Sequence, residues 1–422
     1  MRTSFLLLLI LPLWTLTAQQ RAGQEATWHT EGLDRLEGWV QGEIDAGRLP
    51  MAEVLLYADG AVGYRATFGS SNTALGTPLT ENQIYHIMSM TKPVVSVAFM
   101  MLYEEGHFRL RDRVADYLPE FTDPRVALAT SQGLTVPTRE AESALTIEQL
   151  LTHTAGFSHG LGETAFDREF AQAMYYQPHA DIEARVRTLA SLPLVSEPGE
   201  QWYYSAAPDV LARLIEHFSG QSVAEFLQQR LFDPLGMEDT GYNVQVADSG
   251  RVVANHGLVE EAVQLAGFQL PQRGNRIYGG THGLYSTPSD YLRFCRMLLN
   301  KGELDGRRYL SPTTVELMTM NHVGELRPRG EGFGLGFGVI TDVAANKVAG
   351  SVGTYYWSGA YSTYFFVDPK RELIAMLFSQ RSPYSGFHGE MFRQLVYQAT
   401  GRQASCRASC LELNTGKSYF TG

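Results

Sequence analysis

The chain has 422 residues, ordinary apolar and charged fractions, and a formal net charge of −11 at pH 7. That length supports one large domain or two lobes with a sizeable core. An acidic balance with no basic patch excludes nucleic acid as the expected partner. Three cysteines do not make a disulfide framework, and the scattered histidines form no His-Glu-x-x-His or paired Cys-x-x-Cys pattern, so neither a metal nor a cofactor is expected.

Residues 1–18 read as a secretory leader: Arg2 begins it, an apolar run spans 5–13, and Leu16-Thr17-Ala18 offers a cleavage site. The run is too short to cross a bilayer, so export to the periplasm or medium is expected, without a stable membrane anchor. Residues 30–46 carry Leu33, Leu36, Val40 and Ile44 at helical spacing. Two strands follow, 52–57 and 62–68, joined by the hairpin turn Asp59-Gly60.

Next comes Ser89-Met90-Thr91-Lys92-Pro93, then the apolar run 94–102. The spacing predicts a buried helix that begins at the serine, with Pro93 in the first turn and Gly106 past its end. Residues three apart share a helix face, so Lys92 sits beside Ser89. The helix N-terminus places free N–H groups there, which favour a developing oxyanion. A serine hydroxyl is a poor nucleophile until a base takes its proton, and a neutral lysine can do that.

Residues 112–142 read as loop, punctuated by Pro119, Pro124 and Pro137. Thr146-Ile147-Glu148-Gln149 is a capping box opening a short helix through Thr152. Further helices are expected over 181–191, 209–218 and 223–232, with Gly220 closing one and the Ser222/Glu225 box opening the next. Thr287-Pro288 starts a helix over 290–299 that carries Cys295 as a buried thiol. After Gly330 the pattern changes to strands (336–341, 362–367, 373–379) and a closing helix, 386–399. Cys406 and Cys410 lie in a polar tail, 401–422, where they could bridge each other. The expectation is an α/β (α+β) fold in which one antiparallel sheet is built from both termini and a mainly helical lobe is inserted into it. The single domain is 24–400, with a sheet lobe of 28–84 plus 330–400 and a helical lobe of 85–329.

Two further segments can carry chemistry. Tyr203-Tyr204-Ser205-Ala206 precedes the helix at Asp209, and a tyrosine relays protons when a cation lowers its pKa. Tyr356-Trp357-Ser358-Gly359-Ala360 leads into a strand, where glycine permits a ligand to approach the backbone. The Ala360 N–H there could complete an oxyanion hole with that of Ser89. Gly156-Phe157-Ser158-His159-Gly160 fits the nucleophile elbow G-x-S-x-G, but that elbow needs a strand before its serine. A helix precedes it here, so Ser158 is read as a decoy, with Phe157 and His159 lining the cleft.

Taken together, these segments resemble the serine β-lactamase and penicillin-recognising superfamily, most closely the class C-like carboxylesterases called family VIII. The resemblance runs over about residues 34–400. It rests on Ser89-Met90-Thr91-Lys92-Pro93, on Leu150-Leu151-Thr152-His153-Thr154-Ala155-Gly156, and on Gly199-Glu200-Gln201-Trp202-Tyr203-Tyr204-Ser205. The run Gly279-Gly280-Thr281-His282-Gly283-Leu284 and Trp357-Ser358-Gly359 complete it. It implies a β-lactamase-like fold with the site between the lobes, Ser89 as acylating nucleophile, Lys92 as its partner, and Tyr204 as the tyrosine of Tyr-x-Asn. Ala206 stands where that motif has asparagine, and Trp357-Ser358-Gly359 where β-lactamases have Lys-Thr-Gly. The lost cation is worth about 1.5–3 kcal/mol of carboxylate binding, which points to neutral esters over antibiotics. The expected activity is hydrolysis of a small-molecule ester or amide through acyl-Ser89, with either Lys92 or Tyr204 as base. Trp357, Ser358, Gly359, Phe157, His159 and His282 are the expected substrate-binding residues. Rival readings are a β-lactamase or D-amino-acid peptidase, an acyltransferase, and a non-catalytic scaffold.

Overall fold

Strand β1 (Met51–Ala58) is buried at every position, so its sequence lacks the alternation of a half-exposed strand. It pairs antiparallel with β2 (Ala61–Asn72) through the Asp59-Gly60 turn, whose φ values of 55° and 79° are those of a primed hairpin turn. The short β3 (Thr77–Pro78) closes that edge. The other strands come from the far end of the chain: β4 (Glu331–Phe333), β5 (Gly338–Ile340), β6 (Tyr355–Gly359), β7 (Thr363–Asp368) and β8 (Leu373–Phe378). The order across the eight-stranded sheet is β4-β5-β6-β7-β8-β1-β2-β3, so β8 meets β1 and joins the two ends of the chain. The computed structural model describes residues 28–259 and 262–401. The expected leader and the Cys406–Cys410 pairing lie outside those residues.

Each central strand is apolar on both faces because each face has its own cover. Ala52, Val54 and Leu56 pack with Phe366 beneath α1 (Thr30–Asp45) and the closing helix Gly386–Ala399. Those two helices approach so closely that a Cβ on Gly32 would fall 2.5 Å from Ala399 Cα. The opposite face carries Met51, Leu55, Phe365 and Met376 into the larger core beneath α2 (Thr91–Glu104). That helix is buried from Thr91 through Leu102. It packs against α3 (Ala207–Ser219), whose apolar stripe faces it and whose C-terminus is capped by Gly220 in the left-handed conformation.

The inserted helices include Ile147–Thr152, opened by the Thr146/Gln149 capping box, and Ile182–Ser191. The expected helix over 223–232 is α-helical for Val223–Leu227 and widens into a π-helical turn over Gln228–Phe232. The helix Ala165–Tyr175 is an addition to the sequence reading, although Phe166, Phe170 and Met174 recur every four residues along it. The loop 112–142 also contains a short hairpin, Arg125–Ala127 with Thr138–Glu140. Cys295 is a buried free thiol. Among the described residues no helix is long and apolar enough to cross a membrane.

Candidate active site

Ser89 sits in a single 3-10 turn, Met88–Met90, and the α-helix begins two residues later at Thr91. The sequence reading started the helix at the serine itself. Met88 takes φ 48°, which turns the chain sharply before the serine. The turn is pinned from outside, since the Tyr291 hydroxyl donates to Met90 O at 3.0 Å and the Leu284 N–H to Thr91 Oγ1 at 3.2 Å.

Lys92 is 1 % exposed. Its ammonium nitrogen lies 3.2 Å from Ser89 Oγ, 2.8 Å from Thr281 O and 3.5 Å from His159 Nε2, and 4.5 Å from the centre of the Tyr204 ring. Every one of these neighbours is neutral. Burial therefore pushes the lysine pKa well below its ordinary value; the more distant Asp209 carboxylate opposes that shift and Arg185 adds to it. A lysine so placed can hold a lone pair toward the serine hydroxyl.

Tyr204 is carried on the segment before α3. His153 fixes that segment: its carbonyl accepts the Tyr203 N–H at 2.9 Å and its Nδ1 accepts the Ser205 N–H at 3.2 Å. Burial raises the Tyr204 pKa, and the polar Ser89 and Trp357 side chains beside it offset that rise only in part. The phenol thus stays protonated and can donate. Its ring stacks on His159 at 4.8 Å and 12° and meets Trp357 at 5.5 Å. The structure brings Ser89, Lys92 and Tyr204 into one crevice. Ala206 is fully buried, and in place of an amide side chain there the lysine meets Thr281 O and His159.

The glycine-rich run explains how Thr281 reaches the lysine. A Cβ on Gly280 would fall 1.9 Å from Pro208 O, so only glycine lets the run lie against the start of α3. Asp209 then accepts the Thr281 N–H at 2.8 Å and pairs with Arg185 at 3.2 Å, both charged groups buried. Sequence reading missed Thr281 as a lysine partner and Asp209 as its anchor. A main-chain acceptor leaves no mark in residue type.

Three substrate-contact expectations change. Phe157 is 2 % exposed and packs edge-on against Phe121, so it belongs to the core. The Ser358 side chain faces away from the serine: strand alternation puts Trp357 on the Ser89 face and Ser358 beside Tyr364 on the other, lining a recess with Tyr384. Gly359 ends strand β6 where a strand start was expected, and it makes room for protein backbone, a Cβ there lying 2.4 Å from Ile87 O. His159 turns to Lys92 and Tyr204. Trp357 meets Tyr204 and Phe333. The Ala360 N–H, just past β6, donates to no acceptor among the described residues. The decoy Ser158 is fully buried and donates to Asp167 Oδ1 at 2.6 Å.

A cavity of about 530 Å³ is lined by Met88, the residue before Ser89, with His282 and Gly283 in its wall. Among the described residues no group of histidine, cysteine and acidic side chains could hold a metal ion.

Comparison with known proteins finds relatives of the chain as a whole. The family model described as Beta-lactamase matches residues 36–399. Protein Rv1367c of Mycobacterium tuberculosis is 32% identical over 375 residues, covering 83% of this chain and 90% of that protein. Esterase EstB of Burkholderia gladioli is 29% identical over 389 residues, covering 86% and 94%. The solved structure of EstCE1, a hydrolase with promiscuous acyltransferase activity, superposes with a TM-score of 0.73 at 24% identity, over 91% of this chain and all of that one (100%).

Proposed function

The chain belongs to the Beta-lactamase family, and from that premise we propose that this serine hydrolase is a carboxylesterase acting through acyl-Ser89. One observation carries the reading: the lysine one helical turn past the serine is buried among neutral acceptors only. The esterase named among the relatives supports the ester class. Trp357 stands where a carboxylate-binding cation would favour β-lactams.

In the proposed reaction Ser89 Oγ attacks the ester carbonyl while Lys92 takes its proton. The N–H groups of Ser89 and Ala360 receive the oxyanion; one such donor is typically worth about 3–4 kcal/mol of barrier. Tyr204, held neutral beside Ser89 Oγ, passes a proton to the leaving alkoxide and recovers it from Lys92. Water then attacks the acyl-enzyme by the same steps in reverse. The leader motif at residues 1–18 supports export as the setting.

Labelling with a fluorophosphonate probe, alongside turnover of 4-nitrophenyl butyrate and a chromogenic cephalosporin, tests this assignment. Ser89→Ala loses both labelling and ester turnover. Ser158→Ala retains labelling and loses only stability, because it strips a hydrogen bond from buried Asp167 at a cost of about 1–3 kcal/mol. Labelling that survives in Ser89→Ala refutes the nucleophile, and a cephalosporin turned over faster than the ester refutes the substrate class.

The pH profile follows from the lysine. Above its lowered pKa the amine is neutral and accepts the serine proton; below it the ammonium has no lone pair. Ester kcat/KM therefore falls on the acid side, with a midpoint well below the ordinary 10.5. A midpoint at the ordinary lysine value contradicts the assignment.

A further inference from the structure

The cavity beside Met88 has a wall that contrasts with the rest of the molecule. Arg185, Arg276, His86, His179 and His282 line it, and no Asp or Glu among the described residues does. Yet the chain carries 45 acidic residues against 34 Lys and Arg. The remaining wall includes Met88, Met174, Leu270 and Ile277, which suits a short hydrocarbon chain.

Some polar groups of this wall have partners already and others do not. Arg185 already has partners: it pairs with Asp209 at 3.2 Å and lies 4.7 Å from the centre of the Tyr175 ring. It also donates to His282 Nε2 at 3.4 Å. Guanidinium can only donate, so His282 Nε2 accepts and its proton resides on Nδ1, as a donor. His86 is 7 % exposed, and its Nδ1 has no hydrogen-bond partner. Arg276 is exposed at the rim and forms no ion pair with any described residue.

We propose that this cavity binds a carboxylate borne by the ester substrate, a short chain away from the carbonyl that Ser89 attacks. The proposal rests on the ester-hydrolase reading and narrows it to half-esters of dicarboxylic acids or esters of hydroxy acids. A cation at the Trp357 position is then unnecessary, because the anion is received on another wall.

The test pairs esters of equal chain length with and without a carboxylate. On the acyl side, mono-4-nitrophenyl glutarate is compared with 4-nitrophenyl valerate; on the alcohol side, the butyrate of 4-hydroxybenzoate with that of 4-hydroxybenzamide. One anionic ester is expected to exceed its neutral partner about tenfold in kcat/KM, and which pair responds tells the side of the ester that enters the cavity. Arg276→Gln and His282→Leu should each bring that ratio toward one, and rising salt should shrink the Arg276 share. A general loss of activity would lower both members of a pair and leave the ratio intact. In Ser89→Ala, glutarate binding followed by calorimetry should weaken about tenfold on adding Arg276→Gln, which reads the site without turnover. Turnover of the neutral esters with no anionic preference, or a preference indifferent to both substitutions, overturns the carboxylate site while the esterase reading stands. Failure to turn over any of the four esters overturns the esterase reading, and the glutarate measurement still decides the site.

Discussion

Replacing Lys92 by Ala or Met lowers ester kcat/KM by about 10²–10⁴-fold, the range expected for loss of a positioned general base. The effect falls on kcat, because Lys92 has almost no exposed surface with which to bind substrate. Met is the sharper probe: it fills much of the same buried volume, so loss of activity cannot be laid to collapse of the core. Near-UV circular dichroism of Lys92→Met should match the parent while turnover is lost. If either variant keeps more than a tenth of the parent rate, Tyr204 is the base and Lys92 only its neighbour. That outcome requires the phenol to ionise despite burial, which raises its pKa.

Asp209→Ala should be the most destabilising single change among the charged residues of the site. Asp209 and Arg185 are both buried, and removing the carboxylate leaves the guanidinium uncompensated, at a typical cost of about 3–5 kcal/mol. The same change frees the Thr281 N–H, whose residue supplies the carbonyl facing Lys92 at 2.8 Å. Stability and turnover should therefore fall together. Asp209→Asn keeps an acceptor for Thr281 and should recover turnover in the folded fraction better than it recovers stability. A double-mutant cycle with Arg185→Met isolates the pair, since removing both charges together costs less than the sum of the single changes. A denaturation midpoint for Asp209→Ala within about 1 kcal/mol of the parent would contradict a buried, paired role.

What could be read before folding was local. The Thr146 and Ser222 capping boxes, the left-handed Gly220 and the Asp59-Gly60 turn are all as expected, because each involves atoms within four residues of chain. The Ser89–Lys92 contact belongs to the same class, since a helix brings residues three apart together whatever surrounds them. The two-ended sheet was also legible, from strands and a helix at each end of the chain with helices between. The helix Ala165–Tyr175 was overlooked although its apolar spacing was present.

The sequence by itself determined most of the element types and the serine–lysine spacing, which follow from backbone geometry and short-range patterning, and its strand–helix order implied that the two chain ends share one sheet. Only the tertiary structure decided what Lys92 is buried against, because Thr281 lies 189 residues further along the chain and acts through a carbonyl that every residue type carries. It likewise decided that Ser358 turns from the site, that Phe157 is core, and that two arginines and three histidines share one cavity wall. A side chain's pKa and partners depend on which distant surfaces pack over it, and that packing is a property of the whole folded chain.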